Sequence, residues 1–194
     1  VVLVSGFAFD LPELEAAFRE RLVTGILWIS IAFAMIVGQA RHLLADRQEE
    51  RWAGLLLAPL DRTVLFALKW FEGVLLGVAL EVVLVPLCVV LFDLSLAERL
   101  LPLAVALLIC TAGLAALGTI LGTVVARLGR GEALLAILVV AADAPVLIAG
   151  VRCTEVILEG GGLAGAAPWP TVALTTMVLY AAIGGLLYES VLVD

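Results

Sequence analysis

The chain has 194 residues, 64% of them apolar and only 15% charged, with a mean hydropathy of +1.21 and a formal charge of −7. A soluble domain averages ~45–50% apolar and ~25% charged residues, and its surface could not hide this much apolar side chain. No basic block follows a phosphate backbone, and Cys88, Cys110 and Cys153 lack metal or redox spacing. Nucleic-acid binding, a disulfide scaffold and disorder are therefore excluded. The composition is that of a polytopic membrane protein.

In chain order, Val1–Phe9 is an apolar remnant, expected to be the back half of a first span whose front this sequence lacks. A short acidic connection, Asp10–Arg21, leads to the run Leu22–Ala40. Arg41–Thr63 is the long polar connection, and Asp61 or Thr63 is placed to cap the run Val64–Phe92. A turn at Asp93–Arg99 precedes Leu100–Ala126, and the basic turn Arg127–Glu132 precedes Ala133–Val151. Arg152–Trp169 is expected as a connection containing Gly160-Gly161-Gly162, followed by the run Pro170–Tyr188. Runs of ~20 apolar residues without period-two alternation predict spanning helices, not barrel strands. Pro145, two residues after Asp143, predicts a kink that frees a carbonyl near position 141. The expected fold is one all-α domain over residues 1–194, a membrane helix bundle of six spans with the first partial.

Alternating crossings place Arg41, Arg47, Arg51, Arg62, Lys69, Arg127 and Arg130 on one side or its border. Arg19, Arg21, Arg99 and Arg152 fall on the other. The richer side is expected to be cytoplasmic.

That side carries Arg41–Thr63. Its first half has mixed charges and is expected to continue the preceding helix past the lipid. Its second half turns apolar, with Trp52, Leu55 and Leu56 at i, i+3 and i+4, and Pro59 ends it. A helix this short cannot cross a bilayer. It either lies in the interface as an anchor or fills a groove on a soluble partner as a docking knob.

Four ionisable residues lie within or near hydrocarbon depth: Lys69, Glu72, Glu81 and Asp143. Such groups cost about 2.5–3.5 kcal/mol on insertion scales and usually face a partner or water. Lys69 and Glu72 can pair across one helical turn. Glu81 has no opposite charge a turn away and must find a partner on another helix, accept water or stay protonated. With Asp143 it could line a polar track. His42, the single histidine, reads as a solvated surface residue, and Met35 and Met177 as packing residues. Gly113, Ala116, Gly118 and Gly122 permit close helix approach. No phosphate-binding loop is present, so ATP would have to be bound by another polypeptide.

The run Leu55-Leu56-Leu57-Ala58-Pro59-Leu60-Asp61-Arg62, followed by Lys69, resembles the signature of CcmB, the heme exporter protein B of cytochrome c maturation. Gly25-Ile26-Leu27-Trp28 resembles the start of that family's second span, and the stretch Glu81–Leu87 resembles its third span. Gly118-Thr119, the turn Arg130–Leu135 and the closing Tyr188–Asp194 are similar to it as well, in order and over the whole chain. The resemblance implies an ABC-2-type permease of the bacterial inner membrane, with six spans and both termini cytoplasmic. It implies no ATPase site and no directly bound cofactor in this chain, with ATP on a CcmA-like subunit and heme as cargo of the complex. CcmC-like and small CcmD-like membrane partners are also implied, and a half-transporter of six spans calls for two copies. Arg47, Arg51, Trp52, Leu55, Leu56 and Pro59 would contact the ATPase. The activity implied is heme export or release of a heme-loaded chaperone. The alternatives are an ion- or proton-coupled transporter using Glu81 and Asp143, and a non-transporting scaffold.

Overall fold

A backbone in hydrocarbon must satisfy its own polar groups, and every long apolar run here does so as a helix. The computed structural model describes the backbone of residues 1–2, 4, 16–48, 62–92, 94, 99–128 and 132–191. Side chains are described for 1–2, 4, 18–39, 63–92, 94, 99–122 and 141–187. The helices are α1 (Ala16–Gln48), α2 (Arg62–Phe92), α3 (Leu100–Leu128), α4 (Glu132–Leu158), the short α5 (Gly162–Gly165) and α6 (Trp169–Val191). No strand occurs among the described residues. Phe18–Gln39, Thr63–Phe92, Leu100–Gly122 and Trp169–Leu187 are each long and apolar enough to cross a membrane. At ~1.5 Å per residue, the 27 residues of α4 also exceed a ~30 Å hydrocarbon layer. Of the N-terminal remnant, Val2 packs into the core; most of the rest lies outside the described residues.

Two expectations need correction. Arg152 does not open a connection: α4 continues through it to Leu158. Arg152 pairs with Glu155 across one turn at 2.9 Å, which keeps a charged stretch helical beyond the apolar run. The helix then stops at the glycines. Gly160 adopts φ +93, its N–H reaches the Ile157 carbonyl at 3.1 Å, and Gly161 N–H reaches Val156 at 2.8 Å. These two bonds form a Schellman cap, which requires a left-handed residue at the position of Gly160. Arg99 adds a hydrogen bond to the Leu158 carbonyl. The second correction concerns Thr63, which cannot be the N-cap because α2 begins one residue earlier. Asp61 lies outside the described residues.

α3 is the axis of the bundle. Every residue from Cys110 to Gly118 is buried, so neighbours surround the helix at that level. Its side chains there are mostly small, which lets other backbones close in. A Cβ on Gly113 would meet Val146 of α4 at 3.3 Å and Met177 of α6 at 3.7 Å. Close approach at Gly113 and Gly118 thus serves packing within this chain. Cys88, Cys110 and Cys153 are buried free thiols, and Met35 is buried among apolar neighbours.

The contacts fix which helix ends lie together. Arg21 of α1 pairs with Glu159 just beyond α4, and Arg99 before α3 reaches Leu158 of α4. At the opposite end, Phe66 of α2 lies on Gly184 of α6, and Gln39 of α1 lies on Gly118 of α3. Arg21, Arg99 and Arg152 thus share an end, as the alternation of crossings predicts.

Candidate functional site

α1 has 33 residues, about 50 Å at ~1.5 Å each, and its backbone stays helical from Arg41 to Gln48, the first part of the polar segment. This is the expected helical continuation of the preceding run. Arg47 sits on its last turn. Arg51, Trp52, Leu55, Leu56 and Pro59 lie outside the described residues, as does the stripe they were expected to form.

The two helices that flank residues 49–61 are keyed into the bundle close to where they leave it. On α1, the Gln39 amide lies against the backbone at Gly118 of α3, where any Cβ would overlap it. The same amide is 3.4 Å from where a Cβ on Gly73 of α2 would stand. Gln39 Nε2 is buried without a hydrogen-bond partner among the described residues. On α2, the Phe66 ring occupies the place that a side chain at Gly184 of α6 would take, and it stacks on Trp70 at 6.2 Å between centroids. Trp70 Nε1 donates to the Ala112 carbonyl of α3 at 2.8 Å. At this end α1 therefore touches α2 and α3, and α2 touches α3 and α6, through side chains seated closely on glycines.

Of the polar residues expected in the spans, Lys69 and Glu72 do pair, Nζ to Oε2 at 3.0 Å, near the start of α2. Glu81 finds its partner on another helix: Thr111 of α3 donates its hydroxyl to Glu81 Oε1. Gly77, one turn before Glu81, makes this possible, since a Cβ there would overlap Thr111 and stand 3.3 Å from the Met35 sulfur. Asp143 is 3% exposed, and its Oδ1 has no partner among the described residues. No hydrogen bond joins Glu81 to Asp143, so the expected track is not made by direct contact. Near the predicted proline break, Tyr180 of α6 donates to the Ala142 carbonyl at 2.6 Å.

α1 is tied to α4 by the same device. Trp28, 1% exposed, lies flat on Gly150, where a Cβ would stand 2.6 Å from its ring, and donates Nε1 to Thr154 Oγ1 at 3.0 Å. In both places a glycine admits the partner and a polar group one turn on bonds to it. The sequence reading missed Gln39, Thr111, Thr154 and the notches at Gly73, Gly77, Gly150 and Gly184. Gly73 and Gly77, four apart in an apolar run, form a small-xxx-small pattern that would have marked the α2 face.

Among the described residues no three His, Cys, Asp or Glu side chains cluster closely enough to hold a metal. No curated protein and no solved structure gives a significant match to the chain. The model of the CcmB protein family matches residues 1–187, nearly the whole length. A membrane-helix bundle that carries the family's pattern from end to end belongs to the CcmB family, the membrane permeases of cytochrome c maturation.

Proposed function

We propose that this chain is the membrane half of an ATP-driven machine that moves heme, or frees a heme-loaded chaperone, for attachment to cytochrome c. The observation that carries the reading is the family match over residues 1–187, together with the helical continuation of α1 into the polar segment as far as Gln48. A CcmA-like subunit binds and hydrolyses ATP. It docks on the cytoplasmic segment 41–63 through Arg47, Arg51, Trp52, Leu55, Leu56 and Pro59. The apolar stripe fills a groove on the ATPase while the two arginines hold its rim. Movement of the ATPase then pulls on α1 and α2 together, and the Gln39 and Phe66 notches hand the displacement to α3 and α6. The result is a shift between two packings of the bundle, the usual way a small effector motion becomes a large one. CcmC-like and CcmD-like proteins complete the assembly, which contains two copies of this chain in the bacterial inner membrane. This subunit itself performs no chemistry; heme is cargo, not a resident group.

The test is copurification of the ATPase with the membrane complex. Trp52→Glu or Leu56→Asp is expected to lower ATPase recovery at least about tenfold, the effect of losing one buried interface anchor. The permease should remain inserted in normal amount. Recovery of the ATPase at the wild-type level with both variants overturns the docking proposal.

A further inference from the structure

Between α1 and α4, on the lipid-facing side, runs a groove of about 540 Å³. Ile29, Phe33 and Ile36 form one wall, and Leu147, Ile148 and Val151 the other, over the Trp28 ring. These walls are apolar and accessible: Ile29 and Phe33 are each 63% exposed. At the end nearer the α4 terminus the groove stops at Arg152 and Glu155. There it meets a second hollow of about 460 Å³, which shares Ile148, Arg152 and Glu155 and adds Arg21, Glu159 and Trp169. A long apolar slot thus leads into an open chamber lined in part by charged side chains. Tryptophan at such a boundary is the usual mark of the membrane–water interface.

The chamber has a distinct charge pattern. Arg152 pairs with Glu155 at 2.9 Å and Arg21 with Glu159 at 3.6 Å. Two cations and two anions therefore line one open hollow, and the four charges cancel. A purely anionic head would gain two guanidinium groups but meet two carboxylates as well. A head with both signs can satisfy each: its phosphate accepts from the forked guanidinium groups, and its ammonium donates to a carboxylate. Arg21, Arg152 and Glu159 are the accessible members, with side chains 65%, 57% and 48% exposed, whereas Glu155 is 15% exposed and holds Arg152 in place.

We infer that the α1–α4 groove and its chamber bind one phospholipid with a phosphate and a primary ammonium in its head, a phosphatidylethanolamine. One acyl chain lies along Ile29, Phe33 and Ile148. The phosphate sits on Arg152 and Arg21, and the ammonium on Glu159. The bound lipid bridges α1 to α4 on the side away from α3, next to the Trp28–Thr154 bond.

Native mass spectrometry of the intact purified chain tests this, after equilibration with equal amounts of phosphatidylethanolamine, phosphatidylglycerol and phosphatidylcholine of the same acyl chains. One retained lipid is expected, with phosphatidylethanolamine about fivefold over either competitor, the gain from one or two added charge-assisted hydrogen bonds. Glu159→Gln, at an exposed position that leaves folding intact, should shift the preference toward phosphatidylglycerol. Arg152→Gln should lower retention of all three. Ile148→Trp should fill the slot and abolish retention while the helix content and melting curve stay normal. Absence of any retained lipid overturns the inference. So does equal retention of the three, a wild-type preference for phosphatidylglycerol, or indifference to Glu159→Gln and Ile148→Trp.

Discussion

α2 and α3 lie side by side and are about equally apolar, yet only 17% of the α2 membrane-length window is buried against 61% for α3. In water, two helices this apolar would both be drawn to the centre. In lipid the tails are as apolar as leucine, so hydrophobicity gives no preference between protein and solvent, and packing decides. α3 holds the centre because Cys110–Gly118 is short in side chain and offers neighbours a close approach on all sides. α2 presents Val64, Leu68, Phe71, Leu75, Val83 and Val90 to the lipid, and it turns Gly73, Gly77 and Glu81 inward.

Substitutions can break this comparison. The largest effect is expected from Gly118→Leu, whose side chain must displace Gln39 from its notch. About 3 kcal/mol should be lost, the upper end for overpacking, and unfolding in mixed detergent micelles measures it. A smaller loss, about 1 to 2 kcal/mol, is expected from Thr111→Val, which keeps the shape but leaves Glu81 without its donor. The same unfolding assay reads it, and restoring the hydroxyl with Thr111→Ser should recover part of the loss. The smallest effect belongs to Val83→Leu on the lipid face of α2: less than about 0.5 kcal/mol, although this substitution lengthens the side chain by a methylene, whereas Thr111→Val only exchanges a hydroxyl for a methyl. If Val83→Leu cost as much as Gly118→Leu, that face would be packed against protein and the contrast between the two helices would fail.

The legible part of the site follows the same division. Lys69 and Glu72 lie three apart on one helix, so their pairing needs nothing beyond helical periodicity. Glu81 was recognisable as a residue in need of a partner, but Thr111 is 30 positions away and hydroxyls are frequent in such helices. Gly150 and Trp28 carry no pattern that joins them across more than a hundred residues. The Arg152–Leu158 stretch was misread because its charges resemble a loop. An i,i+3 ion pair and a glycine cap fixed its end instead, both local features carried by Arg152, Glu155 and Gly160.

Composition and run length determined by themselves that this is a membrane protein of long helices, because a backbone in hydrocarbon has few ways to satisfy its hydrogen bonds. The linear order of motifs determined the family. Only the tertiary structure decided which helix lies at the centre, which glycines serve as notches and what meets each buried polar group. Those choices rest on the fit of side chains from distant parts of the chain. In lipid that fit is not biased by hydropathy, so it leaves no trace in the hydropathy profile.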